Sequence, residues 1–381
     1  MSINPFALHL PEQIRFGRGV AHDAVDAIAA TATDVLLIHG ANPARAKWLV
    51  DALRHRGVAV EPLACPREPD VALVESAVAS GRRVRVRAVV GLGGGAVIDL
   101  AKAVAGLVPA RRHVLDYLEV VGGGQTLDAT PLPFFALPTT AGTGAEVTAN
   151  AVIDVPDAGR KVSLRDPRLL PRCAFVDPTL TDQCPRLVTL ASGLDAITQV
   201  IEPFLSGMAN AFTDVICRDA IPRGLQALPR LMEAEDPAAR DEMAWVSLSG
   251  GLALANAKLG AVHGLAGPLG GVCTAPHGAI AGALLAPVLE ANEASVEGEV
   301  AVRLQTIKHW IAAALGGGDK DALETLACWV RTQGLPGLAS AGVDRDSLPA
   351  IARAAAQSSS MKGNPVVLSS AELVRAMEAA W

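Results

Sequence analysis

His263 and His277 lie fourteen residues apart in AVHGLAGPLGGVCTAPHG (261–278), a stretch in which almost nothing else is polar. On an unbroken helix they would stand about 20 Å apart, at 1.5 Å per residue. Gly267-Pro268, Gly270-Gly271 and Pro276 interrupt any such helix, so the chain must turn, and a turn can bring both imidazoles to one point. Asp195 and Gln199, in ASGLDAITQVIEP (191–203), are four apart and share a face if that segment is helical. Ser192, three residues before Asp195, is placed to cap it. Two imidazole nitrogens and two side-chain oxygens form a donor set suited to a divalent metal. The alternative for the four is a hydrogen-bonded core cluster with Gln199 bridging Asp195 and an imidazole.

Two glycine-rich turns offer a second kind of chemistry. In GLGGGAVIDLAK (91–102) an apolar strand runs into glycines that open a helix, where the backbone can approach a ligand and free N–H groups favour phosphate. Position 96 is alanine, so the strict GxGxxG dinucleotide pattern is not met, and an ordinary structural turn stays open. In LPTTAGTGAEVTAN (137–150), Thr139, Thr140 and Thr143 alternate with glycine and can offer hydroxyl and backbone donors to a nucleotide. Thr143 and Glu146 also have capping-box spacing.

These groups need a scaffold, and the first half of the chain supplies one by alternation. Strand patterns at 34–40, 58–64, 88–93, 133–138 and 174–178 are separated by helical patterns at 44–54, 71–80 and 96–107. A hairpin at 152–164 turns at Pro156-Asp157-Ala158-Gly159. Strands spaced by helices of this length imply a parallel sheet covered on both faces, with the two glycine turns at the sheet edge where ligands bind. After residue 181 the strand signals stop and Ala- and Leu-rich helical pattern runs to the end. The expectation is an α/β nucleotide-binding domain over 1–181 and an all-helical metal and substrate domain over 182–381.

Composition narrows the function classes. The net charge of −6 lacks the basic footprint of a nucleic-acid partner, and the run Arg82-Arg83-Val84-Arg85-Val86-Arg87 reads as a solvated surface. Six widely spaced cysteines without a CxxC pair suit reduced thiols in a cytoplasmic protein, and the N-terminal residues show no secretory signal pattern. Residues 259–289 contain no Asp, Glu, Lys or Arg, but seven glycines and three prolines interrupt them. That reads as a buried globular core, not a membrane span.

Taken in order, GlyArgGly (17–19), the GlyGlyGly turn with Asp99 and Lys102, ProThrThrAlaGlyThrGly, Lys161, AspPro (177–178), GlyLeuAspAlaIle, His263, ProHisGly (276–278) and AsnPro (364–365) form a series. In this the chain resembles, over nearly its whole length, the iron-containing (group III) alcohol dehydrogenases. That family includes lactaldehyde reductase and, more distantly, maleylacetate reductase. The resemblance implies a dehydroquinate synthase-like architecture with a cleft between the domains. It implies an NAD- or NADP-dependent oxidoreductase, a homodimer, that interconverts a small alcohol and its aldehyde or ketone. Fe2+ or Zn2+ would be the Lewis acid. Carried over by position, the cofactor residues are Gly94, Gly95, Ala96, Asp99, Thr139, Thr140, Thr143, Asn150, Lys161 and Leu180, and the metal ligands are Asp195, Gln199, His263 and His277. No side chain stands out as a general base, so protons would pass through water or the cofactor ribose. A metal-independent reductase of the maleylacetate type is the alternative. A dehydroquinate-synthase-like lyase would need a richly charged pocket, which the apolar 244–289 core does not provide.

The sequence departs from the family pattern at three places. The ligand at 199 is glutamine where histidine is usual. Gly267 stands four residues after His263, where a proton-relay histidine is common. Gly40, after His39, replaces the acidic residue that closes the first strand in NAD-preferring members. Without that carboxylate the ribose 2′-hydroxyl loses an acceptor and a 2′-phosphate escapes repulsion, with Arg45 nearby to meet it. NADPH is therefore expected to support turnover at least comparably with NADH. A hundredfold poorer rate with NADPH under matched conditions would contradict this reading of Gly40.

Overall fold

The computed structural model describes residues 5–381. They divide into two compact units, one of residues 9–140 and 144–182, the other of residues 5–8, 141–143 and 183–381.

The first unit is built on parallel strands β1 (Gln13–Phe16), β2 (Asp34–His39), β3 (Ala59–Ala64), β4 (Ala88–Gly93), β5 (Phe134–Pro138) and β8 (Cys173–Val176), in the order β1-β8-β5-β4-β2-β3. Its helices are α1 (Asp23–Ala29), α2 (Lys47–His55), α3 (Val71–Val84), α4 (Gly95–Leu107) and the single turn α5 (Val114–Tyr117). Alternate residues of the central strands serve opposite faces. Leu36, Ile38 and Val89 join α3 and α4 in one core, while Val35, Leu37 and Val90 join α1 and α2 in the other. This is the helix-covered parallel sheet expected from the strand–helix alternation. The hairpin forms as β6 (Asn150–Val155) and β7 (Arg160–Arg165), antiparallel, around the turn at 156–159. Strand β1 is an addition that the sequence patterns did not indicate.

Glycine is required where α4 leaves β4. A methyl on Gly93 would lie 2.5 Å from the Val97 side chain, and one on Gly91 would lie 3.0 Å from Ala101 Cβ. The helix is thereby held tightly against its strand, which fixes where its N-terminus points. From that helix the fully buried Lys102 donates to Ala145 O at 2.7 Å, Thr148 Oγ1 at 2.9 Å and Asn150 O at 2.8 Å. Burial pushes its pKa down, with Asp99 and Glu146 pulling it back up.

The second unit is helical: α6 (Arg186–Leu205), α7 (Ala211–Glu233), α8 (Pro237–Ala257), α9 (Ala261–Gly270), α10 (His277–Glu293), α11 (Gly298–Leu315), α12 (Ala322–Thr332), α13 (Leu348–Ala356) and α14 (Ser370–Ala379). One apolar core runs through them. The uncharged 259–289 segment becomes α9 and α10, with Leu265, Leu269, Ile280 and Leu284 buried there. No helix among the described residues is long and apolar enough to cross a membrane. Arg82, Arg83, Arg85 and Arg87 are exposed as expected, Arg82 donating to the carbonyls of Leu107, Val108 and Ala110.

Two local readings are corrected. Thr143 and Glu146 do not start a helix: a single 3-10 turn spans Ala145–Val147 and Glu146 is buried. Burial pushes Glu146 up to about 7, with Lys102 opposing. Ser192 caps nothing, because α6 begins six residues earlier and the Ser192 hydroxyl donates back to Val188 O at 2.7 Å.

Removing the Lys102 ammonium leaves the buried Ala145 carbonyl, the Thr148 hydroxyl, the half-buried Asn150 carbonyl and the neighbouring carboxyls without it. Lys102→Met is therefore expected to cost about 3–5 kcal/mol in urea unfolding, and a loss under about 1 kcal/mol would contradict this role.

Candidate metal centre

Helix α6 carries Asp195 and Gln199 one turn apart, both buried. Helix α9 carries His263, also buried, in its first turn, and His277 is the first residue of α10. The loop at 271–276 makes the turn that the glycines and prolines require. Glycine sets how closely α10 meets α6. A methyl on Gly278 would lie 2.1 Å from Ala191 O and 3.1 Å from Asp195 Cβ, and one on Gly282 would lie 2.6 Å from Leu194 Cδ1. Only bare backbone lets the start of α10 sit against Asp195.

The result is convergence. Asp195, His263 and His277 each bring a ligand atom to within 4.8 Å of the others. The Nε2 atoms of His263 and His277 lie 3.3 Å and 3.9 Å from the same oxygen, Asp195 Oδ1, and the ring centroids are 5.4 Å apart. That oxygen is fully buried and accepts no hydrogen bond of good geometry. A buried carboxylate oxygen that lacks a hydrogen bond of good geometry and is faced by two imidazole nitrogens fits a cation site.

Gln199 is placed differently from the other three. Its Nε2 donates to Gly142 O at 2.8 Å. Because a carbonyl only accepts, the amide nitrogen must face Gly142, and Oε1 is the atom left to accept elsewhere.

Glu202 was not among the residues singled out from sequence, although it lies seven after Asp195, on the same helix face. Its Oε2 is 2.5 Å from His263 Nδ1, and its Oε1 accepts from Val262 N at 2.7 Å and His263 N at 3.4 Å. Burial opposes charge on His263, but Glu202 and Asp195 outweigh it and raise the imidazole to about 10. Burial likewise opposes charge on Asp195, and the two imidazoles outweigh it and hold the carboxyl below its usual range.

The glycine-turn residues meet at the C-terminal ends of β4 and β5. Thr139 N donates to Gly93 O at 3.0 Å, and a methyl on Gly94 would lie 3.2 Å from Thr140 Oγ1. Gly94 is the residue before α4, and Gly95 and Ala96 form its first turn, where helix geometry leaves backbone N–H groups without intrahelical acceptors. Asp99 lies one turn further on; burial pushes it up to about 6 against the pull of Lys102. Asn150 gives its carbonyl to Lys102, Lys161 pairs with Glu68, and Leu180 packs on the sheet core. Thr143 belongs with residues 141–143 to the helical unit. Gly40 follows directly on β2 with no heavy atom within 4 Å of where a Cβ would be.

The family description "Iron-containing alcohol dehydrogenase" matches residues 11–178, and "Fe-containing alcohol dehydrogenase family, C-terminal" matches residues 189–381. The chain belongs to the iron-containing alcohol dehydrogenase family. Within this family of alcohol and aldehyde oxidoreductases it is similar to a 4-hydroxybutyrate dehydrogenase of Cupriavidus necator, 33% identical with 87% of each chain covered. It is also similar to the lactaldehyde reductase of Escherichia coli K12, 33% identical over 77% of this chain and 76% of that one. The solved structure of a 1,3-propanediol oxidoreductase, 25% identical, superposes with a TM-score of 0.88 over 99% of this chain and 100% of the other.

The raised pKa of His263 has a consequence for stability. The native state holds a proton that the unfolded chain gives up near pH 6.5. The stabilisation is full below that pH and is lost as pH rises towards about 10. In chelator-treated protein the thermal midpoint should fall between pH 7 and 10 more steeply in the parent than in His263→Gln. Parallel curves would contradict the assignment.

Proposed function

We propose that this oxidoreductase interconverts a small alcohol and its aldehyde or ketone with NAD or NADP, using a divalent metal held by Asp195, Gln199, His263 and His277. The observation that carries this reading is the convergence of two imidazole nitrogens on the buried Asp195 Oδ1, which accepts no hydrogen bond of good geometry. When bound, Fe2+ or Zn2+ supplies Lewis acidity to a substrate oxygen and the nicotinamide exchanges hydride with substrate carbon. Asp195 contributes the negative charge, the two histidines the nitrogens, and Gln199 a neutral carbonyl oxygen where relatives commonly have a third nitrogen.

The cofactor's phosphates are assigned to Gly94, Gly95 and Ala96 at the start of α4, where glycine lets backbone N–H groups approach an anion. Thr139 and Thr140, at the neighbouring strand end, are proposed to donate to the same ligand, and Thr143, Asp99, Asn150, Lys161 and Leu180 complete the proposed set. The metal-independent maleylacetate reductase alternative is not favoured. The similar proteins are named 4-hydroxybutyrate dehydrogenase, lactaldehyde reductase and alcohol dehydrogenase 4, and none of these is named a maleylacetate reductase.

An amide oxygen is a weaker ligand than imidazole, so metal is expected to bind and to be lost readily in purification. The test is metal content measured alongside turnover of an aldehyde panel that includes lactaldehyde, with 4-hydroxybutyrate for the reverse direction. Gln199→His should raise metal retention, and His277→Ala should abolish both metal and turnover. Intact turnover in His277→Ala, with added Fe2+ or Zn2+ never changing the rate, would end the metal reading.

A further inference from the structure

Helix α9 begins without a cap of its own. The preceding residue is Gly260, which has no side chain to offer, and the orphan N–H groups of the first turn are met by residues from elsewhere in the helical unit. Ala261 N donates to Asn364 Oδ1 at 3.1 Å. The N–H groups of Val262 and His263 both reach Glu202 Oε1. Glycine at 260 is what admits these groups, since a Cβ there would lie 2.9 Å from Asn364 Oδ1 and 3.0 Å from Glu202 Oε1.

Glu202 therefore does two things with two oxygens. Oε1 fixes where α9 starts, and Oε2 takes the Nδ1–H of His263 at 2.5 Å. An imidazole whose Nδ1 is committed as a donor has only Nε2 to present as a lone pair. Here Nε2 is the atom that lies 3.3 Å from Asp195 Oδ1. The carboxylate is 5% exposed, so this bond is little diluted by solvent.

We infer that Glu202 is a positioning residue for the metal centre: it locks the tautomer and the ring plane of His263, and through the same carboxylate anchors the first turn of the helix that carries it. The inference rests on the metal reading above. Removing such an outer partner of a ligand histidine typically costs 10–100-fold in metal affinity.

The substitution that isolates this role is Glu202→Gln. The amide oxygen can still cap Val262 N, but the amide nitrogen then faces Nδ1 and demands the opposite tautomer, with the proton on Nε2. Zn2+ affinity, measured by chelator competition on the full chain, is expected to fall 10–100-fold. Asn364→Ala also loosens the start of α9 but leaves the carboxylate in place. It should lower the thermal midpoint while keeping Zn2+ affinity within about threefold. The inference is overturned if Glu202→Gln binds Zn2+ within threefold of the parent. It is equally overturned if Asn364→Ala loses as much affinity as Glu202→Gln at the same loss of thermal stability. A parent protein that binds no Zn2+ or Fe2+ removes the metal reading itself, and this inference with it. Should Glu202→Gln not fold, imidazole 15N spectra of the Zn2+-loaded parent decide the matter. A downfield-shifted, exchange-protected proton on His263 Nδ1, as a strong bond to the Glu202 carboxylate requires, supports the lock, and an unprotonated or freely exchanging Nδ1 refutes it.

Discussion

A carboxylate buried in an all-helical, mostly aliphatic core is the constraint around which the second unit is arranged. Asp195 is 2% exposed and keeps a low pKa despite its burial. A buried charge is tolerated only where opposite charge and hydrogen bonds compensate for lost water. His263 and His277 provide that compensation, and Glu202 adds a second buried carboxylate behind His263. Two buried carboxylates and two imidazoles gathered in one place are a donor set suited to a cation.

The helices are spaced to meet that constraint. Gly278 and Gly282 bring α10 onto α6, Gly260 admits two side chains to the start of α9, and Gly142 approaches Ser192 so closely that a methyl there would lie 2.8 Å from Ser192 Cβ. Each is a place where backbone must come close to a neighbouring backbone or side chain, and a Cβ would force the elements apart. The same device holds α4 against β4 in the first unit. In both units a glycine precedes a helix whose first turn carries proposed site residues, Gly94 before α4 and Gly260 before α9.

Much of this was legible in the sequence. The strand patterns at 34–40, 58–64, 88–93, 133–138 and 174–178 each meet a parallel strand to within a residue or two, and the hairpin forms around its ProAspAlaGly turn. Strand β1 did not, because QIRF is four largely exposed residues whose strand character comes only from pairing with β8 at the far end of the unit. The ThrGlyAlaGlu capping signal was local and lost to a tertiary demand, since Glu146 lies buried near Lys102. His263 and His277 could be paired by eye because helix breakers separate them. Glu202 carries no motif of its own, and only its seven-residue spacing from Asp195 places it on the same helix face.

The central claim is that an ion sits where the two imidazoles face Asp195. Anomalous diffraction at the zinc or iron edge, on crystals of turnover-competent protein supplied with that metal, tests it most directly. The account predicts one peak about 2.0–2.2 Å from an Asp195 oxygen and from Nε2 of His263 and His277. Crystals of active protein with no peak there, or with the ion bound elsewhere, would contradict it.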